Sequence, residues 1–152
     1  MSLFGERYVI DTNALSQIGM RRRQSPVFLE RVVIPEEVLH EAEGFPDVTT
    51  LRELLQPVSP RTLYWLARVM STVPESDIRL VDLYANRGNA DPFVVASALE
   101  LQEQDSQFLD APEWLVVTAD QAVRDKAEEF GIRVLTNTEF ASLIDDQLRW
   151  SP

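Results

Sequence analysis

Short apolar runs alternate with helical segments along the chain, and this alternation restricts the fold more than any other feature. The runs lie at residues 8–10, 32–34, 114–118 and 132–135. Apolar runs with little polar interruption are typical of strands that are buried on both faces of a parallel sheet. The pattern therefore predicts an α/β three-layer sandwich, in which helices flank a mainly parallel central sheet of four to five strands.

Capping residues mark where the predicted helices begin. Asp11, Thr12 and Asn13 are all good N-caps for a helix that runs through Ile18. The helix after Asp91 is apolar nearly all round, which predicts that it is central and buried. The other helices are predicted to begin near Pro26, Pro35, Asp47 or Thr49, Ser59, Pro74, Asp120, and Asn137 or Thr138.

Length and composition are those of one globular domain. We predict a single domain over residues 1–152, with residues 1–6 as a disordered or extraneous end and residues 147–152 as a tail. The absence of cysteine excludes disulfides and thiolate metal sites. It also fits a reducing cytoplasm. No apolar run is long enough for a membrane span, and no signal peptide is expected.

The charge is strongly acidic, with 25 Asp and Glu against 14 Lys and Arg and a net charge of −11. Proteins that bind nucleic acid through its phosphates are usually basic, so this chain would need cations or a local basic patch. Arg21, Arg22 and Arg23 form such a patch, and an ordinary solvated turn is the equally weighted alternative. The excess of acids also fits a site that concentrates divalent metal.

Four carboxylates come from four separate segments. Asp11 and Asp120 each lie just beyond the carboxyl end of a predicted strand, where sites gather in open parallel sheets. Asp91 begins the apolar helix, and Glu41 lies on the helix after the second strand. Carboxylates brought close together repel one another, and a hard divalent cation such as Mg²⁺ or Mn²⁺ removes that repulsion. Such an ion can also activate water for phosphodiester hydrolysis.

Each acid also has a simpler interpretation. Asp11, Asp91 and Asp120 could cap helices, a role worth about 1 kcal/mol each. Glu41 shares its helix with Glu36, Glu37 and Glu43, and such a charge run is usually a solvated face. Glu37 lies one turn before Glu41 on the same helix face, so the choice of Glu41 over Glu37 stays open.

Two further residues are expected to lie outside the site. His40 is the only histidine and is expected to be a partly exposed helix residue. Asp125 is expected to face solvent.

Four strings of the sequence resemble the four motifs of PIN domains. They occur in the family's order, and the similarity covers nearly the whole chain. The resemblance implies a parallel sheet flanked by helices, and metal-dependent endoribonuclease activity that leaves 5′-phosphate and 3′-hydroxyl ends. The strings are Val9-Ile10-Asp11-Thr12-Asn13, Ile34-Pro35-Glu36-Glu37-Val38-Leu39-His40-Glu41, Ala90-Asp91-Pro92-Phe93-Val94-Val95-Ala96 and Val117-Thr118-Ala119-Asp120.

The resemblance also implies a role for individual residues. It implies that four acids surround Mg²⁺ or Mn²⁺, and that Asn13 and Thr118 match the positions that orient the first and fourth acids. The four acids are Asp11, Glu41, Asp91 and Asp120.

The resemblance extends to partners. PIN proteins of this size are often toxins of toxin–antitoxin pairs and often dimerise, so RNA, an antitoxin protein and a second copy are the implied partners. The long segment between Glu41 and Asp91 and the sequence Arg87-Gly88-Asn89-Ala90 depart from the usual toxin. These departures bear on the toxin assignment more than on the fold.

Two other functions compete with the ribonuclease as interpretations of the sequence. A catalytically silent PIN fold that binds protein or holds RNA would explain the net charge of −11, because the chain repels nucleic acid at long range. A haloacid-dehalogenase-like phosphohydrolase would have a second Asp two residues after the first, and Asn13 stands there instead.

Overall fold

The computed structural model describes residues 5–73 and 90–150, and at residues 90 and 91 it describes the backbone only. Five strands and nine α-helices lie in these ranges. The strands are β1 (Glu6–Ile10), β2 (Val32–Pro35), β3 (Leu55–Gln56), β4 (Glu113–Val117) and β5 (Arg133–Leu135). The helices are α1 (Thr12–Ile18), α2 (Met20–Arg23), α3 (Pro26–Arg31), α4 (Glu36–Glu41), α5 (Val48–Leu51), α6 (Pro60–Ser71), α7 (Ala90–Asp105), α8 (Gln121–Glu129) and α9 (Asn137–Trp150), with a 3₁₀ turn at Arg52–Leu54.

The five strands form one sheet in the order β3-β2-β1-β4-β5, and every neighbouring pair is parallel. This confirms the predicted α/β fold with a parallel central sheet flanked by helices. Strand order reverses beside β1, which is followed by β2 on one side and paired with β4 on the other. In such sheets a crevice opens at the carboxyl ends of the two strands where the order reverses.

The register of the strands determines where β1, β4 and β5 end at that crevice. Ile10 of β1 lies opposite Val117 of β4, which in turn lies opposite Leu135 of β5. The backbone N–H of Asp11 then donates to the carbonyl of Val117 at 3.2 Å, and that of Thr118 donates to Leu135 at 3.0 Å. Three strands therefore end at one level, and the residues that follow them meet at the same edge.

A mainly apolar core lies on both sides of the sheet. Strands β1 and β4 bury their apolar side chains fully, because helices cover both faces of the sheet. Helix α7 buries Val94, Val95, Ala98 and Leu99 and packs against α6, β4 and β1, which confirms that the apolar helix after Asp91 is central.

Glu100 of α7 is one of several polar residues that are buried beside this apolar core. Its carboxylate is buried and accepts hydrogen bonds at 2.6 Å from the hydroxyls of Ser59 and Thr62, at the start of α6. These bonds tie the first turn of α6 to α7.

Some sequence predictions are corrected. Residues 147–150, expected as a tail, continue α9, and Leu148 packs against the core. Thr136 rather than Asn137 or Thr138 caps α9, because its hydroxyl accepts from the Glu139 N–H while its own N–H donates to the Glu139 carboxylate. The helix predicted from Pro74 to Gly88 lies outside the described residues. Among the helices that the structure describes, none is both long and apolar enough to cross a membrane.

Candidate active site

Among the candidate acids whose side chains the structure describes, Asp11 is the most buried, with 3% of its surface exposed. It caps α1, so its Oδ1 accepts from the Ala14 N–H at 2.8 Å, while Oδ2 accepts from the Thr118 hydroxyl. Burial raises the pKa of the Asp11 carboxyl, and the two hydrogen bonds oppose that rise. The negative charges of Asp120 and Glu41 raise this pKa further. Asp11 therefore lies in the electrostatic field of two other candidate acids.

Thr118 connects the ends of β1 and β4. Its side chain is buried, and its hydroxyl donates to Asp11 and accepts from the backbone N–H of Asp120 at 3.0 Å. A hydroxyl has one proton and two lone pairs, so it can serve both neighbours at once. One side chain thus fixes the first acid and the turn that carries Asp120.

Asp120 caps α8 and is exposed to solvent. Its Oδ1 accepts from the backbone N–H groups of Ala122 at 2.8 Å and Val123 at 3.2 Å. The positive end of the α8 dipole stabilises this anion. The side chain therefore combines the capping role with a position at the edge of the sheet, so the two interpretations of Asp120 are compatible.

Glu41 ends α4 and reaches the turn after β1. Its Oε1 accepts from the Thr12 hydroxyl at 3.2 Å. On the same helix, Glu36 instead accepts from the Val58 N–H at 2.7 Å. The Thr12 contact places Glu41 beside the turn that carries Asp11, and the negative charge of Glu41 is one of the smaller causes of the raised pKa of Asp11.

The backbone of Asp91 lies in the first turn of α7, and its side chain lies outside the described residues. Asn13, expected to orient the first acid, is instead bonded to Asn137, whose Nδ2 donates to the Asn13 Oδ1 at 3.2 Å. His40 is exposed, as expected. Asp125 is also exposed, and it accepts from Gln121 at 2.7 Å.

The three arginines have different environments. Arg21 is exposed, and Arg22 forms two 2.9 Å hydrogen bonds with Asp145 of α9. Arg23 is buried and forms a bidentate pair with Asp47 at 3.0 and 2.9 Å. The prediction of a three-arginine RNA contact is therefore wrong for Arg23, whose guanidinium is enclosed in the protein.

The described acids are ligands of the type that a hard divalent cation prefers. All are oxygen donors, and a carboxylate whose pKa is raised first by burial and further by two neighbouring carboxylates is a setting in which a cation is favourable. In the ranges 5–73 and 92–150, no three acidic or histidine side chains already form a closed metal-binding group. The donor chemistry fits Mg²⁺ or Mn²⁺, and the described side chains supply part of a ligand set.

A family model described as a PIN domain matches residues 8–138, which include all the candidate acids. The chain belongs to the PIN domain family. A comparison with proteins of curated function found no match. PIN domains are generally nucleases and typically use divalent metals. The carboxyl edge of β1 and β4 is the place in this PIN domain where candidate acids gather.

Sequence reasoning missed two polar residues at this edge of the PIN domain. Thr12 bonds to Glu41, and Asn137 bonds to Asn13. The sequence predicts Thr12 only as a capping residue and Asn137 only as the start of a helix. The available signal was position, because each lies within two residues of the end of a parallel strand.

Proposed function

We propose that this PIN domain is a metal-dependent endoribonuclease that hydrolyses the phosphodiester bonds of RNA. The observation that carries the proposal is the buried Asp11 carboxylate, which is held by Thr118 and lies in the field of Asp120 and Glu41. Enclosing a negative charge beside two others is costly for folding alone. A cation shared by the three acids would offset this cost in folding free energy.

Asp11, Glu41 and Asp120 are the described residues that would hold Mg²⁺ or Mn²⁺, and Asp91 is the fourth acid of the family motifs. When bound, the ion would lower the pKa of a water molecule and neutralise charge on the scissile phosphate. The chain's own contribution is to hold its acids in fixed positions. Ala14 and Thr118 fix Asp11, and the first turn of α8 fixes Asp120. Groups fixed before the reaction need no reorganisation during it.

Contacts with the RNA backbone are proposed for the exposed Arg21 and the partly exposed Arg22. Arginine binds phosphate through several donors at once. Such contacts would offset part of the repulsion between the net −11 chain and its substrate.

Cleavage of single-stranded RNA with Mn²⁺ tests the proposed activity. We expect cleavage that EDTA stops and added Mn²⁺ restores, with 5′-phosphate ends on the products. The ends are read by their susceptibility to a 5′-phosphate-dependent exonuclease. Cleavage that persists unchanged in EDTA would contradict the proposal.

A pair of matched variants tests the second acid. Glu41→Gln is expected to weaken Mn²⁺ binding about 10–100-fold, the range for loss of a residue that supports a metal site. Glu37→Gln, one turn away on the same helix, is expected to change it less than about twofold. Isothermal titration of Mn²⁺ into each variant measures both effects. A larger loss for Glu37→Gln would reverse the assignment.

A silent PIN fold that binds protein or holds RNA is the second candidate. The net charge of −11 favours it, because such a chain attracts nucleic acid poorly. Calorimetry distinguishes the two functions, since the nuclease requires Mn²⁺ binding at millimolar or lower concentration. Absence of such binding would favour the silent module.

We also propose that the protein acts in the cytoplasm as a homodimer, and that it is the toxin of a toxin–antitoxin pair. The cytoplasmic location is proposed from the cysteine-free composition. The dimer and the toxin role are proposed because both are common among PIN proteins of this size. A small overlapping upstream reading frame with a DNA-binding pattern would support the toxin role. An isolated gene would instead favour RNA processing or the silent module, and light scattering measures the oligomeric state.

A further inference from the structure

Asn137 stands at the same edge of the sheet as the candidate acids. It follows β5 by two residues, and β5 pairs with β4, which ends at Thr118 and Asp120. Its side-chain Nδ2 donates to the Oδ1 of Asn13 at 3.2 Å, across 124 residues of sequence. This contact connects the turn after β1 with the turn after β5.

Helix capping does not account for the Asn137 side chain. Thr136 and Glu139 already exchange the two capping hydrogen bonds at the start of α9, and the Thr136 carbonyl accepts from Phe140 at 3.0 Å. Asn137 is therefore the first residue inside the helix, and its amide is free to bond elsewhere.

The orientation of the Asn137 amide follows from burial. Its Oδ1 is enclosed and lacks a hydrogen-bond partner among the described residues. Enclosing the NH₂ group there instead would leave two donors without acceptors, and orphaned N–H groups are rarer in proteins than under-satisfied carbonyl oxygens. The oxygen therefore lies inward and the NH₂ group faces Asn13.

This orientation determines which atoms Asn13 presents. The Asn13 Oδ1 accepts from Asn137, so the Asn13 NH₂ group lies on the other branch of the amide, where no acceptor stands among the described residues. Asn13 is exposed and lies two residues after Asp11. An edge rich in carboxylates repels an anionic phosphate, and an amide NH₂ there is a neutral donor that attracts one.

We infer that Asn137 is a positioning residue that fixes the Asn13 amide, so that the Asn13 NH₂ group donates to a phosphate oxygen of the bound RNA. This inference rests on the proposed ribonuclease function. Without Asn137, the Asn13 amide can rotate and present its oxygen, because this torsion is broad and roughly two-fold.

A double-mutant cycle tests the inference. Asn137→Leu keeps the side-chain volume and removes the donor, and Asn13→Ala removes the proposed phosphate ligand. Each single variant is expected to raise KM for RNA about tenfold with kcat nearly unchanged, as for loss of one hydrogen bond to a charged group in both ground and transition states. The double variant is expected to resemble the singles, because both remove one interaction. Thr138→Ala, at the next and exposed position, is the matched control.

A second readout requires no activity. The side-chain amide signals of Asn13 in a ¹⁵N spectrum, assigned by their loss in Asn13→Ala, are expected to shift in Asn137→Leu and not in Thr138→Ala. Unshifted signals would overturn the inference, and so would additive effects of the two substitutions on KM.

The inference and the proposed function fail in distinguishable ways. If the wild type cleaves RNA and Asn137→Leu leaves KM unchanged, only the role of Asn137 is refuted. If the wild type neither binds nor cleaves RNA, the ribonuclease function is refuted and the inference with it.

Discussion

Replacing Asp11 by asparagine is expected to lower RNA cleavage by about 10²–10³-fold, the range for loss of one fixed electrostatic group from an active site. The fold should survive, because asparagine caps a helix as well as aspartate does and can still accept from the Ala14 N–H. The Thr118 hydroxyl can turn and accept from the new amide. The substitution also removes a buried charge that Asp120 and Glu41 disfavour.

The unfolding temperature of Asp11→Asn is therefore expected to equal or exceed that of the wild type, so lost activity cannot be ascribed to unfolding. Asp125→Asn is the matched control, since Asp125 is exposed on α8 and bonds to Gln121. It should cleave RNA at the wild-type rate. Equal cleavage by the wild type and Asp11→Asn would show that the activity comes from a contaminant or from another site.

Removing Arg23 is expected to destabilise the protein by about 3–5 kcal/mol, as for breaking a buried ion pair. The Arg23 and Asp47 side chains are only 6% and 4% exposed. Arg23 also donates to the Leu15 carbonyl at 2.9 Å and lies 4.6 Å from the Phe45 ring centroid. Arg23→Ala leaves the Asp47 carboxylate enclosed without its partner. The unfolding midpoint should fall by roughly 6–20 °C.

Arg22→Ala is the matched control for this prediction. Arg22 pairs with Asp145 where both side chains are about one-third exposed, at 33% and 37%, so its loss should cost less than about 1 kcal/mol. Urea unfolding of the two variants measures the difference. Equal destabilisation would contradict the distinction between a buried and a surface arginine.

The Arg23–Asp47 pair also makes the stability of the protein depend on pH. The Arg23 hydrogen bonds hold the pKa of Asp47 below its ordinary value. The Asp47 carboxylate therefore contributes fully to stability above its unfolded-state pKa of about 3.9. This contribution is lost as pH falls through the lower pKa that Asp47 has in the folded protein. Asp47→Asn should be less stable than the wild type at neutral pH, and the gap should narrow in acid below about pH 4.

The sheet was predictable because its strands are short, apolar and buried on both faces. The runs at 8–10, 32–34 and 114–118 match β1, β2 and β4 closely. Strand β3 has only two residues, Leu55 and Gln56, and the first of these is exposed. So short a strand carries no periodic signal, and none of the apolar runs in the sequence includes it.

Positions at strand ends were predictable, but contacts between them were not. The sequence indicates that Asp11 and Asp120 lie at the carboxyl edge, since parallel strands end on the same side. It does not indicate that Thr118 donates to Asp11, because that bond depends on the register of β1 against β4. Nor does it distinguish Arg23 from Arg21 and Arg22, since their environments depend on how α2 packs against the rest of the chain.

We expect Asp11, Asp120 and Glu41 to share one metal ion. Anomalous diffraction from crystals soaked in Mn²⁺ would locate it. One strong manganese peak should lie at coordination distance from an Asp11 carboxylate oxygen, and it should disappear in Asp11→Asn crystals soaked in the same way. A peak bound only to acids elsewhere on the surface, or no peak at saturating Mn²⁺, would contradict this expectation.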